Sequence, residues 1–361
     1  MRLSPSFWLL TMAFATGTAA QDIKVEARQT YTITARNPTP HAHENVLVQV
    51  KLPPAVKSDH LLLLDRTGEP ALSLAFQMHN SVLTTMVSFE PNQTRELAAV
   101  WSKTPVNLPQ PQPQTSAELT DGSCRFGNDL VRFEMTSRGG SEANGMAIAM
   151  RGEADEHASG LGGLYLVIGE EIGFPRASNV ELEIIEQGVL MTAVRASAAV
   201  EVGQRSFTVT RTLTINADER SIGDEVLVKG AAADLKDLLI GVRLPEFPAA
   251  TWAEHPQDGF MYVAGPDAAD ANAIGFGVAF DPKGFVRVID LPREHPGRAI
   301  VLRPHPFGGG VRSRQRLAAF SQDDPQVQSF DQFEQEMQRV ARRAVFMPQV
   351  RMERKARLIL Q

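Results

Sequence analysis

Residues 206–215 read Ser-Phe-Thr-Val-Thr-Arg-Thr-Leu-Thr-Ile. Hydroxyl side chains alternate with larger ones, and β-branched residues are frequent. A period of two is typical of a β-strand with one buried face, and β-branched side chains favour strands. We therefore predict a long strand whose one side carries Phe207, Val209, Arg211, Leu213 and Ile215.

Similar runs lie on both sides of this stretch and are separated by short polar turns. The predicted strands are Val180–Gln187, Val189–Val200, Ile222–Val228, Leu238–Leu244, Met261–Ala264, Ala273–Phe280, Phe285–Leu291 and Ala299–Arg303. So many antiparallel strands of this length predict a large sandwich. Helical periodicity appears only near the C-terminus, where Ser329 can cap a helix with an apolar stripe that Pro348 ends.

The chain divides by composition into five segments. Residues 21–102 alternate like a small all-β domain, for example over Val46–Leu52, and residues 103–117 are rich in Pro and Gln, as an extended linker would be. Residues 118–321 hold the predicted large sandwich, and residues 322–361 hold the helix and a basic tail. We expect the charges of that tail to form a solvated face.

The first twenty residues are predicted to be a signal peptide. Arg2 gives a positive start, Phe7–Phe14 is a short apolar run, and Thr18-Ala19-Ala20 supplies small residues for cleavage after Ala20. The apolar run is too short to span a bilayer, although an uncleaved anchor is the alternative. We therefore expect a periplasmic or secreted protein that has no membrane attachment after cleavage.

Composition restricts the classes of partner. The formal net charge of −6 disfavours nucleic acid as a partner, because nucleic acid needs a basic surface.

Cys124 is the only cysteine of the sequence, so no intrachain disulfide can form. A half-buried thiol in a strand is favoured over a catalytic nucleophile. The pair His41 and His43 with Glu44 leaves a metal site open, but an exposed loop is favoured and no cofactor or metal is predicted. The oligomeric state is not predicted.

The stretch 155–171 is the expected position of a functional site. It runs from an acid-flanked His157 through a glycine-rich turn into an apolar strand that contains Tyr165. Glycines permit close approach of a ligand or of another segment of backbone. Glu170 and Glu171 follow, but adjacent residues of a strand point to opposite faces, so these two acids form a poor catalytic pair.

Several short motifs resemble domain-of-unknown-function family 4861, of which the chain looks like a diverged member. The segments that carry the resemblance are Thr34–Pro38, Val46–Leu52, Asp65–Gly68, Gln77, Phe126–Asp129, Glu156–Gly160, Tyr165–Gly169 and Phe307–Gly310. They extend over nearly the whole chain after residue 20. The resemblance implies a secreted bacterial protein linked with polysaccharide breakdown, and a supersandwich fold similar to galactose mutarotases.

The chemistry of sugar processing then selects the candidate residues. A lyase that acts on a uronic acid needs a cation near the carboxylate and a base at the acidic C5 proton, whereas a hydrolase needs two carboxylates. The candidate catalytic residues are His157, Tyr165 and His305, and the candidate substrate-binding residues are Arg211, His255, Arg303 and Trp252. The four arginines around Gly308–Gly310 could bind an anion or protect a hairpin edge.

Two functional hypotheses remain open at this point. The first is a polysaccharide lyase or hydrolase that acts on acidic oligosaccharides. The second is a non-catalytic glycan-binding or structural β-sandwich protein, favoured by the low number of stacking aromatics, since the whole chain has 3 Trp and 3 Tyr. In both cases the expected partner is an oligosaccharide or a polysaccharide.

Overall fold

A computed structural model describes most of the chain and gives its secondary structure. The described residues are 9–11, 22–24, 27–68, 70–106, 114–136, 146, 148–151, 157–175, 180–246, 249–266, 273–291, 297–321 and 329–355. The chain separates into two compact units, one formed by residues 1–113 with 346–361 and the other by residues 114–345. Residues 107–113 of the predicted linker lie outside the described part.

Both units are built from antiparallel strands. The strands of the first unit are β1 (Leu9–Thr11), β2 (Asp22–Lys24), β3 (Ala27–Arg36), β4 (His43–Lys51), β5 (Leu61–Asp65), β6 (Leu72–Ser73), β7 (Phe76–His79), β8 (Val82–Phe89) and β9 (Thr94–Ser102). The second unit starts with β10 (Thr115–Thr120), β11 (Ser123–Asn128), β12 (Arg132–Thr136), β13 (Ile148–Arg151), β14 (His157–Leu161), β15 (Leu164–Ile168), β16 (Glu171–Gly173), β17 (Glu181–Gln187), β18 (Met191–Val202), β19 (Arg205–Asn216) and β20 (Ser221–Lys229).

Two helices and the remaining strands complete the fold. They are α1 (Ala232–Leu235), β21 (Leu239–Pro245), β22 (Thr251–His255), β23 (Phe260–Pro266), β24 (Ala273–Phe280), β25 (Phe285–Asp290), β26 (Gly297–Leu302), β27 (His305–Phe307), β28 (Gly310–Ser321), α2 (Phe330–Val345) and β29 (Gln349–Lys355). The predicted mostly-β class with a C-terminal helix is confirmed. The four-residue α1 was not predicted because one turn is too short to show a period.

The first unit pairs strands that are far apart in the sequence. A sheet in the order β29-β3-β9-β5-β6 shares an apolar core with a second sheet, β4-β8-β7. Residues Gln349–Lys355 of the predicted tail form β29 and pair along β3, and Arg351 and Arg354 are exposed, as the predicted solvated face requires. Met352 packs against the core while its charged neighbours face outward, so one buried face is enough to hold a strongly charged strand.

The second unit places a long sheet against shorter ones. The long sheet follows the order β17-β18-β19-β20-β28-β24-β23-β22, with β27 added beside β28, and a five-stranded sheet follows the order β16-β15-β21-β26-β25. The predicted strand at 206–215 is confirmed as β19, and Phe207, Val209, Leu213 and Ile215 belong to the main core. We call the core-facing side of the long sheet its inner face and the opposite side its outer face.

Helix α2 covers part of the outer face of the long sheet. The hydroxyl of Ser329 accepts a hydrogen bond from the Gln332 amide at 3.3 Å, so the predicted capping residue is confirmed. Phe333, Met337 and Val340 are buried, and they pack on a cluster that includes Phe260, Tyr262, Ala279 and Phe320. At the last turn, Arg343 pairs with Glu219, which also pairs with Arg316 of β28.

Candidate functional site

The stretch 155–171 contributes two strands to the second unit. His157 begins β14, but its side chain lies outside the described part of the chain. Gly162 follows with a φ of +65°, and a Cβ there would stand 2.8 Å from Nη2 of Arg211 and 2.6 Å from Cδ1 of Leu317. Glycine is thus required by both the backbone conformation and the close packing.

Arg211 lies in the core, and each of its three guanidinium nitrogens has a structural partner. Its Nε and Nη2 donate to the two carboxylate oxygens of Asp224 at 2.8 Å each, and its Nη1 donates to the Met146 carbonyl at 2.6 Å. Both charged side chains are 0% exposed. The prediction that Arg211 binds substrate is therefore wrong, because its position in β19 turns it into the core, where a buried charge needs a fixed partner.

Tyr165 lies on the other side of the five-stranded sheet, away from the long sheet. Its neighbours in β15, Leu164 and Leu166, belong to the main core, so Tyr165 points the opposite way. Tyr165 is only 1% exposed, its hydroxyl has no hydrogen-bond partner among the described residues, and burial raises its pKa, an effect that Arg243 opposes. Arg243 lies on the same face, since Tyr165 pairs with Gly241.

His255 is part of a group of titratable side chains on the outer face of the long sheet. Its ring stacks on Phe260 with centroids 4.7 Å apart, Nε2 lies 3.9 Å from Oε1 of Glu334, and Nδ1 lies 4.0 Å from Oδ2 of Asp258. The imidazole and Glu334 are each about one-third exposed, at 34% and 35%. We name His255, Asp258, Phe260, Tyr262 and Glu334 the His255 group.

Tyr262 connects this group to the protein interior. Its hydroxyl donates to Oε2 of Glu334 at 3.1 Å. Burial, the hydrogen bond to Glu334 and the negative charges of Glu334 and Asp331 raise its pKa to about 12. The phenol therefore stays protonated at neutral pH and holds one oxygen of the carboxylate, while the other oxygen faces His255.

Trp252 belongs to a second polar group, on the inner side of the same edge strand β22. The guanidinium carbon of Arg298 stands 4.7 Å from the centre of the Trp252 ring. Arg298 also pairs with Glu254 at 2.7 Å and with Asp290 at 3.3 Å. Trp252 is half-buried and packs against the main core, so its ring contacts both Arg298 and the protein interior.

His305 belongs to a hairpin on the outer face of the long sheet, and Arg303 lies two residues before it in the chain. Arg303 is exposed just before β27, and His305 pairs with Arg312 of β28. The turn Gly308-Gly309 has positive φ at both residues, as a tight two-residue hairpin requires. The segment around Gly308–Gly310 is therefore a β-hairpin, which is the local structure that the second interpretation of the surrounding arginines assumed.

The predicted site residues thus fall into separate layers of the second unit. Arg211 is inside, Tyr165 is on the far side of the five-stranded sheet, and His255 is on the outer face of the long sheet. Sequence reasoning missed Glu334 and Tyr262, which join His255 only through the packing of α2 on β23. The one available signal was the acidic start of the helix, which also has the simpler role of complementing the helix dipole.

Cys124 and His43 have structural surroundings. Burial raises the pKa of the Cys124 thiol to about 11, so it stays unreactive in its strand. His43 is buried, its Nε2 lies 2.8 Å from the Thr39 hydroxyl, and its ring stacks on Phe346. Within the described ranges, no three His, Cys, Asp or Glu side chains are arranged to hold a metal ion, and no helix is long and apolar enough to cross a membrane.

Comparison with known proteins identifies similar folds only. No protein-family model and no curated protein matches the chain. A protein in glycosyl hydrolase family 38 from Enterococcus faecalis is similar with a TM-score of 0.52 and 12% identity over 92% of this chain and 48% of that one. An alpha-mannosidase from Enterococcus faecalis V583 is similar with a TM-score of 0.50 and 11% identity over 92% and 47%. The chain thus spans about half the length of each of these two proteins, and the likeness is one of fold.

Proposed function

We propose that this protein is an extracytoplasmic carbohydrate-binding protein that contacts sugar through the His255 group. The observation that carries the proposal is the placement of carboxylates near both ring nitrogens of a partly exposed histidine that stacks on Phe260. Carboxylates accept hydrogen bonds from sugar hydroxyls, and the imidazole adds a flat face and a donor. The likeness to glycosyl hydrolase structures supports the choice of ligand, and the predicted signal peptide supports the location.

The geometry of Glu334 favours a fixed binding group. Tyr262 holds one of its oxygens, so the other oxygen is oriented toward His255 and the surface before any ligand arrives. Pre-orientation lowers the entropic cost of binding, because the side chain is not ordered by the ligand. A sugar hydroxyl placed between Glu334 and His255 would both donate and accept a hydrogen bond.

Calorimetry with the full chain tests this proposal. Neutral and acidic oligosaccharides are titrated into the protein and into Glu334→Gln, which keeps an acceptor for Tyr262 but loses the charge. We expect affinity to fall about tenfold in the variant, the effect of one charge-assisted hydrogen bond. Glu353→Gln, a change of an exposed glutamate in the first unit, is the matched control, and the proposal fails if no glycan binds or if both variants behave alike.

A lyase or hydrolase is the second candidate function. For a hydrolase, Asp258 and Glu334 supply two carboxylates on either side of His255. New reducing ends together with loss of turnover in Glu334→Gln would favour the hydrolase, whereas absorbance from new C=C bonds would favour the lyase.

A further inference from the structure

The hairpin formed by β27 and the start of β28 exposes an aromatic ring among cations. The side chain of Phe307 is 45% exposed, and the guanidinium carbon of Arg312 stands 3.7 Å from the centre of its ring. His305 lies directly across from Arg312, and Arg303 is exposed two residues earlier. We name this set, together with Lys229, the cationic hairpin.

Lys229 extends the positive surface on the neighbouring strand. It is exposed at the end of β20, and its Cγ lies close to Gly310, the residue that pairs with Phe307. The described part of the chain provides no carboxylate partner for Arg303, His305 or Lys229. Glu225 is the acid nearest to Arg312 in the structure as described, at 4.0 Å, and it also pairs with Arg314.

The position of the hairpin places its side chains on an accessible surface. Val311 and Leu317 of β28 belong to the main core, so the alternate residues Arg312 and Arg314 lie on the outer face. Arg312 pairs with His305 on one side and with Leu227 of β20 on the other, which gives a continuous row across three strands. The side chains of this row are at least partly exposed, whereas α2 covers the distal part of β28.

We propose that the cationic hairpin binds the carboxylate groups of an acidic polysaccharide. This inference rests on the proposed carbohydrate-binding function and deepens it by naming the class of ligand. A guanidinium matches a carboxylate in bidentate geometry, and an exposed aromatic ring offers the apolar face on which a sugar ring packs. The hairpin is positive although the whole chain has a net charge of −6, so the attraction is local and selective for anions.

The hairpin and the His255 group lie on the same face of one sheet. Directly paired residues on four neighbouring strands form one row across the sheet, which runs from Arg316 of β28 through Ala279 and Phe260 to His255. Arg312 lies on β28 as well, four residues before Arg316. Strand spacing and rise then separate the hairpin from His255 by roughly 20 Å. An extended oligosaccharide is long enough to touch both, so the hairpin would add a charge requirement to the binding of hydroxyls.

The test compares a polyuronic acid with the same polymer after reduction of its carboxylates to hydroxymethyl groups. Binding of both polymers to the full chain is measured by calorimetry at two salt concentrations. We expect the acid form to bind more tightly, and Arg312→Gln to weaken it about tenfold while binding of the reduced polymer stays the same. Arg66→Gln is the matched control, because Arg66 makes an ion pair of 3.9 Å with Glu96 in the first unit, close to the 4.0 Å between Arg312 and Glu225.

Each outcome separates the inference from the function on which it rests. Equal binding of the two polymers, or an unchanged affinity in both Arg312→Gln and Phe307→Leu, overturns the hairpin proposal and leaves carbohydrate binding standing. Absence of binding to either polymer and to neutral oligosaccharides overturns both. Equally tight binding of double-stranded DNA overturns the choice of a saccharide, because the surface would then recognise anions of any kind.

Discussion

The hydroxyl of Tyr165 is buried and has no hydrogen-bond partner among the residues that the structure describes, and this gives a direct test of its role. A buried hydroxyl that makes no hydrogen bond costs stability, whereas phenylalanine fills the same space. We expect Tyr165→Phe to stabilise the protein by about 1 kcal/mol in urea unfolding. A loss of stability would show that the hydroxyl has a partner, and a loss of activity at unchanged stability would give it a functional role.

The buried ion pair of Arg211 and Asp224 is expected to be essential for the fold. Asp224→Asn leaves the guanidinium without its counter-charge inside the core, and such changes cost about 3–5 kcal/mol. The next residue provides the control, because Glu225 is partly exposed and surface ion pairs such as its pair with Arg314 contribute about 0–1 kcal/mol. Urea unfolding of Asp224→Asn and Glu225→Gln measures the difference, and equal effects would contradict the structural role of the pair.

The raised pKa of Tyr262 predicts a loss of stability in alkali. An unfolded tyrosine has a pKa of about 10, and the folded value is about 12. The folded protein therefore holds the proton more strongly, so this contribution is complete below about pH 10 and is lost as the pH rises to about 12. The urea concentration at the unfolding midpoint should fall more steeply between these pH values in the parent protein than in Tyr262→Phe. Parallel curves of midpoint against pH would rule out a contribution of the Tyr262 proton to stability.

At the scale of single elements, the packing of α2 on the sheet depends on glycines that leave room for side chains. A Cβ on Gly275 would stand 1.7 Å from the Phe320 ring, which stacks on Phe333 of the helix with centroids 4.1 Å apart. We expect Gly275→Ala to cost about 1–3 kcal/mol through overpacking. The control Gly68→Ala meets nothing within 4 Å, and a thermal unfolding experiment that found the two changes equal would contradict the packing of α2.

Elements with a regular period could be predicted from the sequence, and contacts between distant elements could not. The alternation at 206–215 and the cap at Ser329 were sufficient for β19 and α2. The partner of Arg211, however, is 13 residues away across a strand pair, and Glu334 meets Tyr262 over a separation of 72 residues. Such pairs depend on register and on which face a helix covers, and periodicity alone carries neither kind of information.

At the scale of the whole chain, β29 is required to complete the first unit. Proline at Met352 would remove a donor and a side chain that packs on the core, and proline inside a sheet is strongly disfavoured. We expect Met352→Pro to lower hydrogen-exchange protection in β3 and β9 and to leave β19 and β20 unchanged. Met352→Val is the control. An equal loss of hydrogen-exchange protection in the two units would contradict the division of the chain into two compact units.

The pairing of β29 with β3 also constrains how the protein is made. Gln29 and Arg354, which are hydrogen-bonded across these strands, are 325 residues apart. A ribosome therefore releases β3 long before its neighbour exists, and the whole second unit emerges in between. During that interval β3 is an unpaired sheet edge that can capture other strands. The open edge of β3 therefore stays exposed in the growing chain until β29 arrives.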